Sequence, residues 1–222
     1  MNKSVTIGIA SIPPREKELG IVVERISDQC DKVVVALNGY DHFPQELSRY
    51  SNVECHLLDN SLGDGAKFLT VADTQGYYLS LDDDLLAPPT FVEDLISGID
   101  RYNGCVSFHG KTYKPPFRTF KKPTAVHRCL SGVSLDVQVD FIGSGCAGFH
   151  TDRLKLSIDM FKIPNMADVW LSQACTRQMI PMYALAHDRG YFTYLPPKGK
   201  TIWEMFSGAT PVQDKIMRTF LK

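Results

Sequence analysis

No run of apolar residues in this 222-residue chain approaches the roughly 20 that a helical membrane span requires. Net charge is also nearly absent: 24 Lys and Arg stand against 25 Asp and Glu, a formal charge of -1 at pH 7. That balance argues against the generally basic surface of a nucleic-acid-binding domain, although a local patch such as 111–122 can still face an anion. The six cysteines (Cys30, Cys55, Cys105, Cys129, Cys146 and Cys175) include no C-x-x-C pair, and they read as reduced, structural thiols. Cys146 and His150 would supply only half of a closed zinc site. There is no internal repeat and no low-complexity linker, and Met1-Asn2-Lys3-Ser4 leads into a strand-like segment instead of a secretory apolar core. These absences predict a cytoplasmic protein, with peripheral contact at the inner membrane face left open, folded as one domain over 1–222.

What is present is an alternation of apolar runs and helical periodicity. Val5-Thr6-Ile7-Gly8-Ile9-Ala10 reads as a buried strand stopped by Pro13-Pro14. Leu19, Val22, Val23 and Ile26 fall at helical spacing from about Glu16, and the run 32–37 is a second strand ended by Asn38-Gly39. Residues 52–58 give a third strand, 66–74 a short helix and 76–81 a fourth strand. A helix capped by Thr90 then carries Val92, Leu95, Ile96 and Ile99 on one face. The stretch 111–128 is basic and contains prolines, and is expected to be a mobile or inserted loop. Strands near 137–142 and 182–186 and helices near 167–178 and from 212 complete the chain. This spacing predicts an α/β fold with a mostly parallel central sheet flanked by helices, whose ligands bind beyond the carboxyl ends of the strands.

The strongest chemical signal is Asp82-Asp83-Asp84, which directly follows the fourth strand. Three clustered carboxylates repel one another unless a cation sits among them, and a hard divalent ion, Mn²⁺ or Mg²⁺, is the natural occupant. Lys67 follows Gly63-Asp64-Gly65, glycines that let backbone approach a diphosphate, but the spacing is not that of a P-loop. A surface lysine in a flexible turn is the competing reading.

Taken together, Ala10-Ser11-Ile12-Pro13-Pro14-Arg15, Leu37-Asn38-Gly39-Tyr40, Gly63-Asp64-Gly65-Ala66-Lys67-Phe68 and the Asp82-x-Asp84 motif resemble the GT-A glycosyltransferases, particularly bacterial enzymes similar to glycosyltransferase family 2. The resemblance covers the first 100 residues best. It implies a single GT-A domain, with a nucleotide-sugar-binding half over 1–100 and an acceptor-binding, catalytic half over 101–222. It implies that Asp84 contacts the metal and that Asp82 holds the ribose or the metal's water shell, with Asp83 beside them. Ser11, Pro13, Arg15 and Asn38 would line the nucleotide pocket. A UDP-sugar is the expected donor, and a saccharide or lipid-linked acceptor is favoured over a modified DNA base.

In the second half, Asp168 occupies the place of the family's catalytic base, although Ala167-Asp168 departs from the usual Glu-Asp pair. A carboxylate there would take the acceptor hydroxyl's proton during attack. Trp170 is a candidate for stacking on a sugar face, with a core role as the alternative. Gly143 and Ser144 belong to a small-residue loop able to admit an acceptor. His187 is a candidate third metal ligand and His109 a candidate donor contact. Trp203, Lys198 and Lys200 are read as part of a lid. Two other function classes remain open: a haloacid-dehalogenase-like phosphatase, disfavoured because its D-x-D lies on the first strand, and a noncatalytic nucleotide-sugar-binding protein.

Overall fold

The computed structural model describes residues 3–196 and 210–221. In chain order the elements are β1 (Val5–Ser11), α1 (Glu16–Ile26), β2 (Lys32–Asn38), β3 (Val53–Leu58), β4 (Tyr77–Leu81), β5 (Leu85–Leu86), α2 (Phe91–Tyr102) and β6 (Cys105–Ser107). They continue with β7 (Gly110–Thr112), β8 (Ala125–His127), β9 (Val137–Gln138), β10 (Phe141–Ile142), β11 (Cys146–His150), α3 (Ala167–Arg177), β12 (Met182–Ala184), β13 (Thr193–Tyr194) and α4 (Thr210–Met217). One eight-stranded sheet runs β3-β2-β1-β4-β11-β6-β12-β9, with only β11 and β9 reversed. This is the mostly parallel α/β arrangement expected from the apolar runs.

Side chains alternate across each strand, so the sheet builds a core on each face. Ile7, Ile9, Leu37 and Leu79 pack against Leu19 and Val23 of α1 and Phe91 and Leu95 of α2. Tyr78, Ala147 and Phe149 meet Leu171 and Cys175 of α3 on the other side. Each fully buried Leu, Ile or Phe contributes about 1.5–3 kcal/mol of burial free energy, which explains why the strands read as continuous apolar runs. No described helix is long and apolar enough to cross a membrane.

Three local expectations are corrected. Residues 66–74 form two 3-10 turns, Gly63–Phe68 and Val71–Asp73, and not a helix. The carbonyls a helix would use are engaged elsewhere: Asn38 Nδ2 donates to the Gly63 carbonyl at 2.9 Å and the Tyr78 hydroxyl to the Lys67 carbonyl at 2.7 Å. Gly8 makes this possible, since a Cβ there would fall on the Lys67 carbonyl. Thr90 stands at the start of α2 but makes no side-chain cap; Gln29 Oε1 accepts from the Val92 N–H at 3.4 Å instead. The stretch 111–128 is not wholly irregular: β7 and β8 pair antiparallel at its two ends and β10 joins them in a second sheet, while 113–124 between them forms no helix or strand. Phe117 is buried, and Phe120 packs edge-on against Phe141. Prolines and lysines between these rings hide the strand period in the sequence.

Candidate active site

Because β11 runs against its neighbours, its first residues lie beside the last residues of β4, with Cys146 opposite Leu81. The loop before β11 therefore joins the carboxyl ends of β1, β2, β4 and β6 on one edge of the sheet, where ligands of such sheets bind.

At the end of β4 the acidic triplet is met by two side-chain cations. Arg15, at the turn between β1 and α1, donates from Nη1 to Asp83 Oδ1 at 2.9 Å and to Asp84 Oδ2 at 2.6 Å. Lys67 forms a short ion pair with Asp82 from a position only 3% exposed. Burial by itself would depress the Lys67 ammonium, but Asp82 and Asp64, with Asp168 further off, hold it above the ordinary lysine range. Burial raises the Asp83 carboxyl to about 7 despite the opposing pull of Arg15. Asp84 is also raised, by burial first and by the charge of Asp82 second. The repulsion that the sequence assigned to a divalent ion is thus partly relieved by Arg15 and Lys67.

The donor set nonetheless suits such an ion. Among the described residues, no three His, Cys, Asp or Glu groups form a self-sufficient metal cage. Mg²⁺-type sites commonly use one or two carboxylates together with substrate phosphates instead. Asp82 and Asp84 supply hard oxygens of that kind, and Asp83 Oδ2 is buried with no hydrogen-bond partner.

The loop Gly143-Ser144-Gly145 ties three candidate groups together. Gly143 donates its N–H to the His109 carbonyl at 2.9 Å. Ser144 donates both its N–H and its hydroxyl to Asp168 Oδ1, each at 2.6 Å. The Gly145 carbonyl accepts from the Asp82 N–H at 2.9 Å, and a Cβ on Gly145 would collide with the Asp82 carboxylate. Small residues are required here by the approach of the acidic strand end. Asp168 itself is the second residue of α3, and the N–H of the preceding Ala167 donates to both Asp64 oxygens at 3.2 and 3.1 Å. Burial lifts the Asp64 carboxyl to about 6 against the field of Lys67.

The nucleotide-side candidates lie on the same edge. Ser11 is buried, with its hydroxyl 3.3 Å from that of Tyr40. Pro13 opens the turn that carries Arg15. Asn38 is buried with Oδ1 unpartnered, a hydrogen-bond acceptor available for a ligand.

Two candidates are placed differently from expectation. His187 has Nδ1 2.8 Å from the Leu185 carbonyl and Nε2 3.3 Å from the Arg128 carbonyl, so backbone engages both of the nitrogens a metal would need. Trp170 is 8% exposed in the second core and donates its indole N–H to the Ile163 carbonyl at 3.2 Å, which makes it a packing residue and not a sugar platform. The lid residues Lys198, Lys200 and Trp203 lie outside the described residues.

Asp64, Cys129 and Lys111 are neighbours of the site that sequence reasoning missed. The Cys129 thiol is held down to about 5, first by a hydrogen bond with Cys146 and then, against burial, by His109. Lys111 Nζ lies 3.6 Å from the centre of the Phe120 ring and 4.9 Å from that of Phe141. Burial depresses its ammonium to about 8, against the charge of Asp168. Asp64 was visible beforehand only as part of the Gly63–Phe68 turn, and Lys111 only as the start of the basic patch 111–122.

No family model matches the chain, and no curated protein matches it. Among solved structures it is similar to S. aureus TarS in complex with UDP-GlcNAc, at 15% identity and a TM-score of 0.51. That match covers 90% of this chain but only 60% of the TarS chain, so the protein spans less than two thirds of that neighbour. It is likewise similar to 4-diphosphocytidyl-2C-methyl-D-erythritol synthase from Anaerococcus prevotii, at 13% identity and a TM-score of 0.53, over 93% of this chain and 97% of that one. At these identities the likeness establishes the fold, a GT-A-like, Rossmann-type sheet.

Proposed function

We propose that this protein is a glycosyltransferase that moves a sugar from a nucleotide-sugar, with a UDP-sugar the first candidate, to a hydroxyl of a saccharide or lipid-linked saccharide. The observation that carries this reading is the Gly143-Ser144-Gly145 loop, which couples the acidic strand end at Asp82 to the fixed carboxylate of Asp168. One group suits a leaving diphosphate and the other suits an attacking hydroxyl.

On the donor side, Asn38 offers its unpartnered Oδ1 to the base, with Ser11 and Pro13 beside it. Arg15 and Lys67 hold positive charge at the acidic strand end, where it offsets the negative charge that gathers on the departing nucleoside diphosphate. Asp84 and Asp82 would hold Mn²⁺ or Mg²⁺ together with the donor phosphates, and the ion when bound adds Lewis-acid stabilisation of the same leaving group. His109, at the end of β6, borders the sugar.

On the acceptor side, Asp168 acts as general base. Ser144 fixes Oδ1 and leaves Oδ2 to receive the hydroxyl proton as attack on the anomeric carbon proceeds. Gly143 and Ser144 keep this wall low enough for the acceptor. The division of labour is a donor half in 1–100 and an acceptor half in 101–222.

A thermal-shift series with UDP, GDP, CDP and their sugars, with and without Mn²⁺, tests the proposal on the parent and on Asp84→Asn. A ligand at 100 times its Kd adds about 2.7 kcal/mol of stability. Metal-dependent stabilisation of the parent by one nucleotide, lost in Asp84→Asn, is the expected result. No stabilisation by any nucleotide would return the acidic cluster to a phosphatase-like or purely structural role.

A further inference from the structure

The chain's charge is balanced overall but divided along its length. Residues 101–135 contain none of the 25 acidic residues, yet they hold seven of the 24 Lys and Arg: Arg101, Lys111, Lys114, Arg118, Lys121, Lys122 and Arg128. Six of these lie on the β7–β8 arm or immediately after it. Lys114, Arg118, Lys122 and Arg128 are exposed, and neither they nor Lys111 takes part in an ion pair among the described residues. The carboxylates that touch the arm bind neutral groups: Asp140 accepts from the Tyr113 N–H and Asp214 from the Phe120 N–H, both at 2.7 Å, and Asp214 also accepts from the Thr119 hydroxyl at 3.1 Å. Lys114, Arg118, Lys122 and Arg128 therefore present charge at the surface that no carboxylate among the described residues pairs.

One cation of the arm, Lys111, lies within electrostatic reach of the proposed base Asp168. Lys111 sits over two aromatic rings at its root and senses both Asp168 and Arg128. Where β8 ends, a cavity of about 340 Å³ is lined by His127, Arg128, Ser131 and Ser134 among others. His127 Nε2 is buried with no partner. Cation, hydroxyls and an unsatisfied ring nitrogen are the groups that hold a phosphate or carboxylate.

We propose that the arm is the acceptor-binding surface and that the acceptor is an anionic saccharide, its phosphate or carboxylate seated at Arg128 and His127 and its receiving hydroxyl directed to Asp168. This rests on the transferase reading and names its substrate class. A saccharide is favoured over a nucleic acid because the chain as a whole carries a charge of -1, whereas a polyanion of that density calls for a basic domain.

The test is direct binding, without donor, of fluorescently labelled tetragalacturonate, a phosphorylated galactotetraose and neutral galactotetraose. The parent is compared with Arg128→Gln and with the double variant Lys114→Gln/Lys122→Gln. One charged tetrasaccharide should bind about tenfold or more tightly than the neutral one, as expected for one charge-assisted contact, and the preference should fall in Arg128→Gln. Which anion wins identifies the group recognised. Equal binding of charged and neutral saccharides overturns the proposal, as does a preference that survives in both variants. Tighter binding of a single-stranded DNA tetramer or of phosphatidylglycerol vesicles overturns it too. Nucleotide stabilisation measured on the same samples reports the donor reading separately, so loss of one result does not mask the other.

Discussion

Ser144 directs two hydrogen bonds, from its backbone N–H and its hydroxyl, at the single oxygen Oδ1 of Asp168, each 2.6 Å long. Two donors on one oxygen fix the carboxylate's orientation. The serine is itself held, because its carbonyl accepts from the Ser80 hydroxyl at 2.7 Å. The Asp168 carboxylate is thus tied to β4 through Ser144 and Ser80.

Ser144→Ala keeps the N–H and removes the hydroxyl. Transfer should slow by about 10–100-fold, the value of one hydrogen bond to a charged group, with nucleotide affinity unchanged. Asp168→Asn should slow transfer by about 10²–10⁴-fold and also spare nucleotide binding. Initial rates with saturating donor, set beside calorimetric Kd values, separate the two effects. Equal turnover in Asp168→Asn and the parent would remove Asp168 as the base.

Lys67 is the most deeply buried cation of the site and faces Asp82, Asp64 and Asp168. Lys67→Met would leave those carboxylates without their common counter-charge. Removing one partner of a buried pair costs about 3–5 kcal/mol, and the 41% exposure of the Asp82 side chain places this case near the lower end. Urea unfolding should show that loss, and Lys67→Met/Asp82→Asn should recover part of it. A Lys67→Met midpoint equal to that of the parent would mean that water, not Lys67, carries the compensation.

These pairings explain what the sequence could and could not disclose. The strands β1, β2 and β4 were legible because they are buried on both faces and read as apolar runs, as in 32–37. Asp82-Asp83-Asp84 was legible because its three carboxylates are adjacent. Their partners were not, since Arg15 lies 68 and 69 residues from Asp83 and Asp84, and Lys67 lies 15 from Asp82. Asp64 gave no catalytic signal because its bonds run to the Ala167 N–H, 103 residues away. The β7–β8 arm was hidden for another reason: its order comes from Phe117 and Phe120 packing at irregular spacing, so neither a two-residue nor a helical period appears.

Lys111 provides a test by pH. Burial lowers its ammonium from 10.5 to about 8 in the fold. Below pH 8 both folded and unfolded chains carry the proton, and the fold bears the full cost of a desolvated cation. Between about 8 and 10.5 the unfolded chain binds more protons, so this group's contribution to stability rises with pH and the cost is gone above that range. The stability difference between Lys111→Met and the parent should therefore shrink between pH 7.5 and 9.5, read from urea midpoints at fixed salt. A difference that stays constant over that window would mean that Lys111 is solvated.

Gly145 gives the sharpest test of the site's geometry, because the methyl of Gly145→Ala would meet the Asp82 carboxylate. That carboxylate is the end of a side chain and can rotate, so the chain should still fold, at a cost of about 1–3 kcal/mol for overpacking. Rotation draws Asp82 away from Lys67 and from the donor position, and nucleotide-dependent stabilisation should fall together with stability. Asp82→Ala removes the obstructing group, so Gly145→Ala should cost little in that background. Urea unfolding of the two single variants and the double variant closes the cycle. Strictly additive costs would mean that the added methyl meets something other than Asp82, and the coupling of the loop to the acidic strand end would be lost with it.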